Sequence, residues 1–394
     1  MAYTMLISYF ENGKGRTFDV SQIVHNIEYT TSLDSQPGKL TFMLEKDTSN
    51  SLKVGLGSPV QFFSNGKAIF YGKVFAVETD LSDVYKVTAY DPLRYFKNCD
   101  SVLVDETYQN IGVLFDKILK AYNLQGRLGG WADQVNLQPL EEHNFSNCTL
   151  FEILDYYMTI EDERMTKSLA SNQVYGSSSD ENALTRLYLR CNYNKIELRE
   201  VRYDFLYDEE ANDLKDTALL IGDESLMTDY EYKIDIDDTY NRLIFVYNKE
   251  DDTSTTSDDT NTQVTEKQMF AAMDSGHIIT NTGTELDGKS IGEDTISRWG
   301  VLSKIIELED VKSTSLVAQY MKACMEVYSQ PNRTLKINAM GHDSIFAGDG
   351  FYLHLSKLDV NYPVYVISAT HRYEADEHMM ELEVATSARL RKFL

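Results

Sequence analysis

The sequence predicts an α+β, β-rich fold in which two similar antiparallel β-barrel domains carry α/β insertions. Three observations predict it: the second half of the chain restates the first, strand-like alternation dominates both copies, and helical periodicity is confined to the stretches between. Residues 27–47 align without a gap on residues 230–250. Glu28 and Glu231, Tyr29 and Tyr232, Asp34 and Asp237, Leu40 and Leu243, Phe42 and Phe245, and Lys46 and Lys249 are identical pairs. Leu40, Phe42 and Leu44 fall on one side of a strand, as do Leu243, Phe245 and Tyr247. Further along, Gly57 to Phe62 is answered by Gly348 to Leu353, and Val74 to Val77 by Val366 to Ala369. Each match is weak alone, but they are collinear. A duplicated small β unit suits a scaffold of quasi-equivalent parts better than an enzyme with one cleft.

The first β-barrel domain is assigned to residues 1–97. Within it, Val60 to Ser64 and Lys67 to Tyr71 flank Asn65-Gly66, which supplies positive φ at both centres of a type I′ hairpin turn. Tyr85 to Tyr90 then alternates into Asp91-Pro92, where the proline ends the ladder. Residues 98–226 read as an α/β domain. Ile111, Leu114, Phe115, Ile118, Leu119 and Tyr122 lie on one face of a helix expected over 107–122. Thr149-Leu-Phe-Glu152 is a capping box, in which hydroxyl and carboxylate satisfy the orphan amides of a second helix. That helix would bury Leu150, Ile153, Leu154 and Tyr157. A serine-rich loop at 176–179 precedes strands expected at 184–190 and 195–203.

The second β-barrel domain is split into residues 227–250 and 334–394 by an insertion at 251–333. Residues 251–263 contain nothing apolar to bury and are expected to be a mobile linker. Helices are expected next, opening at Thr265, covering 294–308 and running over 313–330. In the last of these Leu316, Val317, Tyr320, Met321, Cys324 and Tyr328 face inward, and Pro331 ends it.

Composition narrows the function. With 394 residues, 42% of them hydrophobic, the chain can build real cores in several domains. Its 62 acidic residues against 37 basic give a net charge of −25, which repels phosphate backbones and argues against specific nucleic-acid binding. No stretch approaches the length of a membrane span, and the first residues lack the basic start of a signal peptide, so assembly in a cytoplasm is expected. Cys99, Cys148, Cys191 and Cys324 are scattered without CxxC spacing, so neither a zinc site nor a disulfide framework is expected. The 26 tyrosines and 17 phenylalanines suit strands and protein interfaces.

Chemical motifs are few. Gly283-Thr-Glu-Leu-Asp-Gly288-Lys289-Ser290 fits the phosphate-binding pattern GxxxxGK[ST], yet only Ile278-Ile279 precedes it where a buried parallel strand is needed. Glu285 and Asp287 would also set carboxylates beside the phosphates. The segment 283–290 reads as a polar turn. Of the seven histidines, His371 and His378 lie in strand-like sequence and read as a surface pair rather than metal ligands. Glu141-Glu142-His143 reads as a solvated loop, and no nucleophile elbow is present. No catalytic residue, cofactor or metal is expected.

Ala89-Tyr-Asp-Pro-Leu-Arg-Tyr-Phe-Lys-Asn98 resembles the signature of phage tail hub proteins of the XkdQ type, related to late control protein D. Asp294-Thr-Ile-Ser-Arg-Trp-Gly300 resembles a second segment of that family. Gly341 through Gly348, Tyr365-Val366 and His371 through Glu381 resemble its closing barrel. The resemblance touches residues 20–98, 107–160 and 294–390. It implies two similar β-barrel domains per chain, combined in a homotrimer whose six modules join a sixfold tail tube to a threefold spike. The implied partners are the tail tube protein, the spike protein and other baseplate proteins. Contractile phage tails and tail-like bacteriocins both use such hubs, and the baseplate of such a particle is the implied location. No lysozyme-like or spike segment follows residue 394, so the spike is expected to be a separate polypeptide.

The sequence offers two alternative functions: an NTP-binding enzyme using the segment 283–290 with Lys289, and a carbohydrate-binding β protein using its tyrosines. The C-terminus supplies the candidate interface. Arg389, Arg391 and Lys392 alternate with Leu390, Phe393 and Leu394, a combination suited to an acidic, partly apolar surface on a neighbouring subunit or the spike.

Overall fold

The computed structural model describes residues 2–11, 14–46, 54–79, 81, 84–105, 107–129, 139–171, 186–201, 207–208, 213–214, 219–249, 267–274, 277–280, 285–286, 295–308, 328–329, 331–374 and 377–385. Its first strands are β1 (Tyr3–Glu11), β2 (Lys14–Asp19), β3 (Val24–Ser32), β4 (Lys39–Glu45), β5 (Pro59–Ser64), β6 (Lys67–Thr79) and β7 (Val84–Tyr90). A 3-10 turn, Pro92–Lys97, leads to β8 (Cys99–Val104), α1 (Ile111–Ala121), β9 (Gly126–Leu128), β10 (His143–Thr149) and α2 (Leu150–Ser171). Then come β11 (Arg186–Asn192), β12 (Lys195–Val201), β13 (Tyr207–Asp208), β14 (Asp213–Leu214), β15 (Leu220–Gly222), β16 (Met227–Asp235) and β17 (Arg242–Lys249). The chain continues through β18 (Lys267–Asp274), β19 (His277–Thr280), β20 (Glu285–Leu286), α3 (Ile296–Trp299) and β21 (Ser303–Leu308). It closes with β22 (Asn332–Met340), β23 (Gly350–Leu355), β24 (Val360–Glu374) and β25 (Glu377–Ala385). The chain divides into two units, the first comprising residues 1–231 and 335–390 and the second centred on 232–334.

In the first unit the strand order β25-β24-β3-β4-β7-β6-β5-β1-β2 makes one continuous sheet from two similar sets. The first set follows from alternation: Leu40, Phe42 and Leu44 of β4, with Val60 and Phe62 of β5, are buried in one core. Each such side chain contributes about 1.5–3 kcal/mol by leaving water. Asn65 and Gly66 have φ of 49° and 78°, as the expected type I′ turn requires. The second set has its own core, with Ile337, Phe351, Leu353, Val366 and Leu382 fully buried. The join is antiparallel, Thr370 of β24 facing Thr30 of β3 across a hydroxyl contact of 3.2 Å.

The duplication is visible in the strand pairing, with one correction. β5 pairs with β6 and β6 with β7, just as β23 pairs with β24 and β24 with β25. Both long strands carry a bulge, between Val74 and Ala76 in β6 and between Val366 and Ser368 in β24. The sequence alignment of 27–47 on 230–250 nonetheless misplaces one strand. β3 pairs with β4, but β16 pairs with β22, while β17 joins β18 and β21 in another sheet. The place of β4 is therefore taken by Asn332–Met340.

A third core lies in the α/β segment. Asn110 caps α1 by accepting from the Val113 amide at 3.0 Å, so the helix starts later than its apolar pattern predicts. Ile111, Leu114, Phe115, Ile118 and Leu119 are buried as expected. The capping box forms: the Thr149 amide donates to Glu152 Oε2 at 2.6 Å and the Glu152 amide to Thr149 Oγ1 at 3.2 Å. Leu150, Ile153, Leu154 and Tyr157 are buried beneath it. β11 and β12 form the expected antiparallel pair.

The second unit departs from expectation. Lys267–Asp274 is strand rather than helix, paired antiparallel with β17 along its whole length. The helix expected over 294–308 is reduced to Ile296–Trp299, because Gly300 at φ 74° ends it and Ser303–Leu308 pairs parallel to β17. Asn241 holds that turn, donating to the Gly300 carbonyl at 2.8 Å and accepting from the Leu302 amide at 2.9 Å. The linker at 251–263 and nearly all of the helix at 313–330 lie outside the described residues.

Candidate functional site

The loop from Gly341 to Asp349 covers a cluster of polar groups centred on the buried His371. Beneath it His371 and His378 stand on the β24–β25 hairpin, where Tyr373 faces His378 and His371 faces Met380. The two histidines are thus diagonal neighbours on one face. His371 is fully buried, and the His378 side chain is 5% exposed, so the expected surface pair is corrected. His371 Nδ1 lies 2.9 Å from His378 Nε2, and His371 Nε2 lies 2.6 Å from the Ile345 carbonyl. Only an N–H can face a carbonyl, so His371 donates from Nε2 and accepts at Nδ1 from His378. This leaves His378 Nδ1 as a lone pair, 3.6 Å from Asp343 Oδ1.

The surroundings fix this arrangement. Tyr373 stacks on the His378 ring at 4.1 Å between centroids and donates to Asp343 Oδ1 at 3.2 Å. Lys67 Nζ bonds the Asp343 carbonyl at 2.5 Å and Ser344 Oγ at 2.9 Å, tying the Asn65-Gly66 hairpin of the first set to the loop of the second. Burial first, then the neighbouring histidine, holds His371 down to about 3. Burial likewise lowers His378 to about 4, opposed by Asp343. Both are neutral imidazoles at ordinary pH.

A second polar junction lies at the other end of the loop. Arg190 Nη1 and Asp349 Oδ1 are 2.8 Å apart, the guanidinium also covers the Phe346 ring, and the Ala347 amide donates to Thr31 Oγ1 at 3.1 Å. Asp349 Oδ2 accepts from the Phe346 amide. Nearby, Asp91 of the sequence signature is buried and accepts from the Gly38 amide at 2.8 Å and the Leu93 amide at 2.9 Å. It thereby caps the 3-10 turn and staples the β3–β4 loop. Burial outweighs these two donors and pushes its carboxyl up to about 8. Asp91→Ala strands both amides without an acceptor. A loss of roughly 2–4 kcal/mol is expected in urea unfolding, and a loss under 1 kcal/mol would show that the staple is dispensable.

Other residues singled out by the sequence scatter. His143 begins β10 between the rings of Phe145 and Tyr156, at 4.4 and 4.7 Å, rather than in a solvated loop. Glu141 and Glu142 are exposed. In the phosphate-loop-like segment, Glu285 and Leu286 form β20, antiparallel to Ile279 and Ile278, whereas a phosphate cradle is a loop entering a helix. The remainder of 283–290 and the candidate interface of Arg389, Leu390, Arg391, Lys392 and Phe393 lie outside the described residues. Cys99, Cys148 and Cys191 are free thiols, and no helix among the described residues is long and apolar enough to cross a membrane. No metal-binding cluster of His, Cys, Asp and Glu occurs among the described residues.

The signal for the histidine pair was present in the sequence as two histidines flanking a hairpin turn. Only the register of that hairpin, and the Ile345 carbonyl 26 residues upstream of His371, reveal it.

A model of the YQBQ-like family matches residues 27–267 and 284–385. Among curated proteins, none matches the chain. The fold is similar to that of the 43 kDa tail protein of prophage MuSo2 from Shewanella oneidensis, with a TM-score of 0.58 and 9% identity over 97% of this chain and 98% of that one. It is similar to a tail protein from Neisseria meningitidis MC58, also at 0.58 and 9%, over 98% and 96% of the two chains. A lidless PdpA–VgrG complex is similar at a TM-score of 0.50 and 9% identity, over 100% of this chain and 66% of that one. At such identities the likeness is one of fold.

Proposed function

The chain belongs to the YQBQ-like family, and from that membership and its fold we propose that it is a structural hub of a phage tail or tail-like baseplate. In this reading a homotrimer joins a sixfold tail tube to a threefold spike, working with the tube protein, the spike protein and other baseplate proteins. Its role is scaffolding rather than catalysis. Its place is the baseplate of the particle, after assembly in the host cytoplasm.

One observation carries the proposal: the two similar β sets share a single sheet through β3 and β24. A threefold assembly of such chains presents six related modules, the number a sixfold partner needs. The join is reinforced by Arg372, whose guanidinium meets Glu28 at 3.2 Å and Glu381 at 3.1 Å. As an exposed network this adds little energy, but it helps hold the register. The proposed barrels are residues 1–97 and, split, 227–250 with 334–394, the second set drawing its β4 equivalent from 332–340. Between them lie an α/β domain at 98–226 and the insertion at 251–333.

Light scattering of the purified chain, alone and with its spike or tube partner, is expected to give about three times the 45.1 kDa chain mass. A chain lacking residues 389–394 is expected to keep its fold but to trimerise or hold the spike less tightly than the full chain, with the deficit largest at low salt and fading as salt screens the proposed terminal contact. A stable dimer under all conditions would sink the six-module reading.

A further inference from the structure

The signature Ala89 to Asn98 has an inside and an outside. Ala89, Asp91, Leu93 and Phe96 are buried, which accounts for the local fold. Tyr90, Arg94 and Tyr95 are not consumed by that task. They gather around Phe75, the extra residue of the β6 bulge, which is 37% exposed. A bulge re-aims a side chain. The Phe75 ring meets Tyr90 edge-on at 5.6 Å and Tyr95 at 6.4 Å, with the Arg94 guanidinium 5.3 Å from its centre. Lys73 Nζ lies 5.7 Å from the Tyr95 ring centre. Among the described residues no carboxylate forms an ion pair with Lys73 or Arg94. Beside the bulge, the Gly57 amide donates to the Val74 carbonyl at 2.8 Å, which sets down a turn whose Leu56 is 74% exposed.

Rigid rings with cations above them are the composition of an interface centre. The chain's net charge of −25 makes two copies repel, so self-association requires a locally positive face on one of them. β16 offers the complement. Asp229 and Glu231 are exposed on alternate positions of the strand that ends the sheet order, and Lys233, two positions further along the same face, is held by Asp235 at 2.7 Å.

We propose that the Lys73–Phe75–Arg94–Tyr95 patch docks the acidic strand β16 of a second copy of this chain. The proposal rests on the self-assembly put forward above and adds which surfaces meet. Because β6 and β16 lie far apart in the strand order, the contact is head to tail, the kind that closes a ring.

The test uses the full chain and charge exchange. Lys73→Glu with Arg94→Glu, and separately Asp229→Lys with Glu231→Lys, are each expected to weaken self-association by about tenfold or more at low salt. Circular dichroism should be unchanged, as should melting when compared at concentrations where every chain is monomeric, since these positions lie outside the cores; Lys73→Gln with Arg94→Gln provides a milder variant that should weaken assembly less. The chain carrying all four charge exchanges is expected to recover assembly. Wild-type assembly with undiminished assembly of both charge-reversed variants would overturn the patch and leave the trimer standing. Weakening without recovery in the fourfold chain would overturn β16 as the partner. A wild-type chain that stays monomeric at every concentration and salt would overturn the self-docking and the trimer together.

Discussion

Gly341→Ala is expected to destabilise the first unit by about 2–4 kcal/mol. A Cβ at this position would overlap the His378 ring, meeting Cγ, Cδ2 and Nδ1. Clashes with flexible side chains are relieved by rotation, but His378 has nowhere to go. Its ring is stacked on Tyr373 and bonded to His371, and its own carbonyl accepts from the Gly341 amide at 2.6 Å. Displacing it therefore breaks the histidine bond, unseats Tyr373 from Asp343 and loosens the loop that Lys67 anchors. Urea unfolding checks the size, and hydrogen exchange checks the place: the β24–β25 hairpin should lose protection before β1 or β5. A loss under about 0.5 kcal/mol would mean that the hairpin slides freely and that the histidine cluster is no latch.

What could be read from the sequence was local. The capping box at Thr149 and Glu152, the Asn65-Gly66 turn and the buried face of α1 are encoded within a few residues, and each formed. The β-rich fold and its duplication were legible for the same reason, since period-two alternation needs no distant partner. Strand partners were another matter. Residues 230–250 resemble 27–47 in sequence, but β17 finds β18 and β21, and nothing in its own residues distinguishes those neighbours from β16. At Lys267–Asp274 the local pattern favoured helix, and eight residues of pairing with β17 overrode it. The polar clusters were illegible for a similar reason. Beside Pro92, which ends a ladder, Asp91 gives no local sign of being a staple, because that role depends on the distant Gly38 amide. The histidine pair depends on a hairpin register and on Ile345.

Acid is expected to unfasten the first unit through that histidine pair. In the folded chain both imidazoles are held below their ordinary range, chiefly by burial, so the unfolded chain binds protons the folded chain refuses. The stability they contribute is fully present above the ordinary imidazole value of about 6.5 and is lost as pH falls below it. Each histidine adds a slope of up to about 1.4 kcal/mol per pH unit. Asp91 acts with the opposite sign. Its carboxyl is raised by burial to about 8, so its contribution is full below the ordinary carboxylate range and declines as pH rises towards 8. Two histidines outweigh one carboxyl below pH 6, and stability from these three groups peaks near neutrality.

The order of the two protons follows from the bonding. His378 Nδ1 is the open lone pair, and a proton there gains the Asp343 carboxylate at 3.6 Å. His371 has none to spare, because Nε2 already donates to Ile345 and Nδ1 accepts from His378. The second proton must therefore break the histidine bond, in a site that, among the described residues, also holds Asp343, His342, Tyr373 and the Lys67 ammonium. Urea titrations between pH 7 and 4 on the wild type and on His371→Gln/His378→Gln separate this from general acid loss of carboxylates. The double variant starts less stable, but its stability should fall with acid more gently, by about 1–2 kcal/mol per pH unit. Parallel curves for the two proteins would show that these histidines take up protons as readily folded as unfolded, and that the cluster fastens nothing.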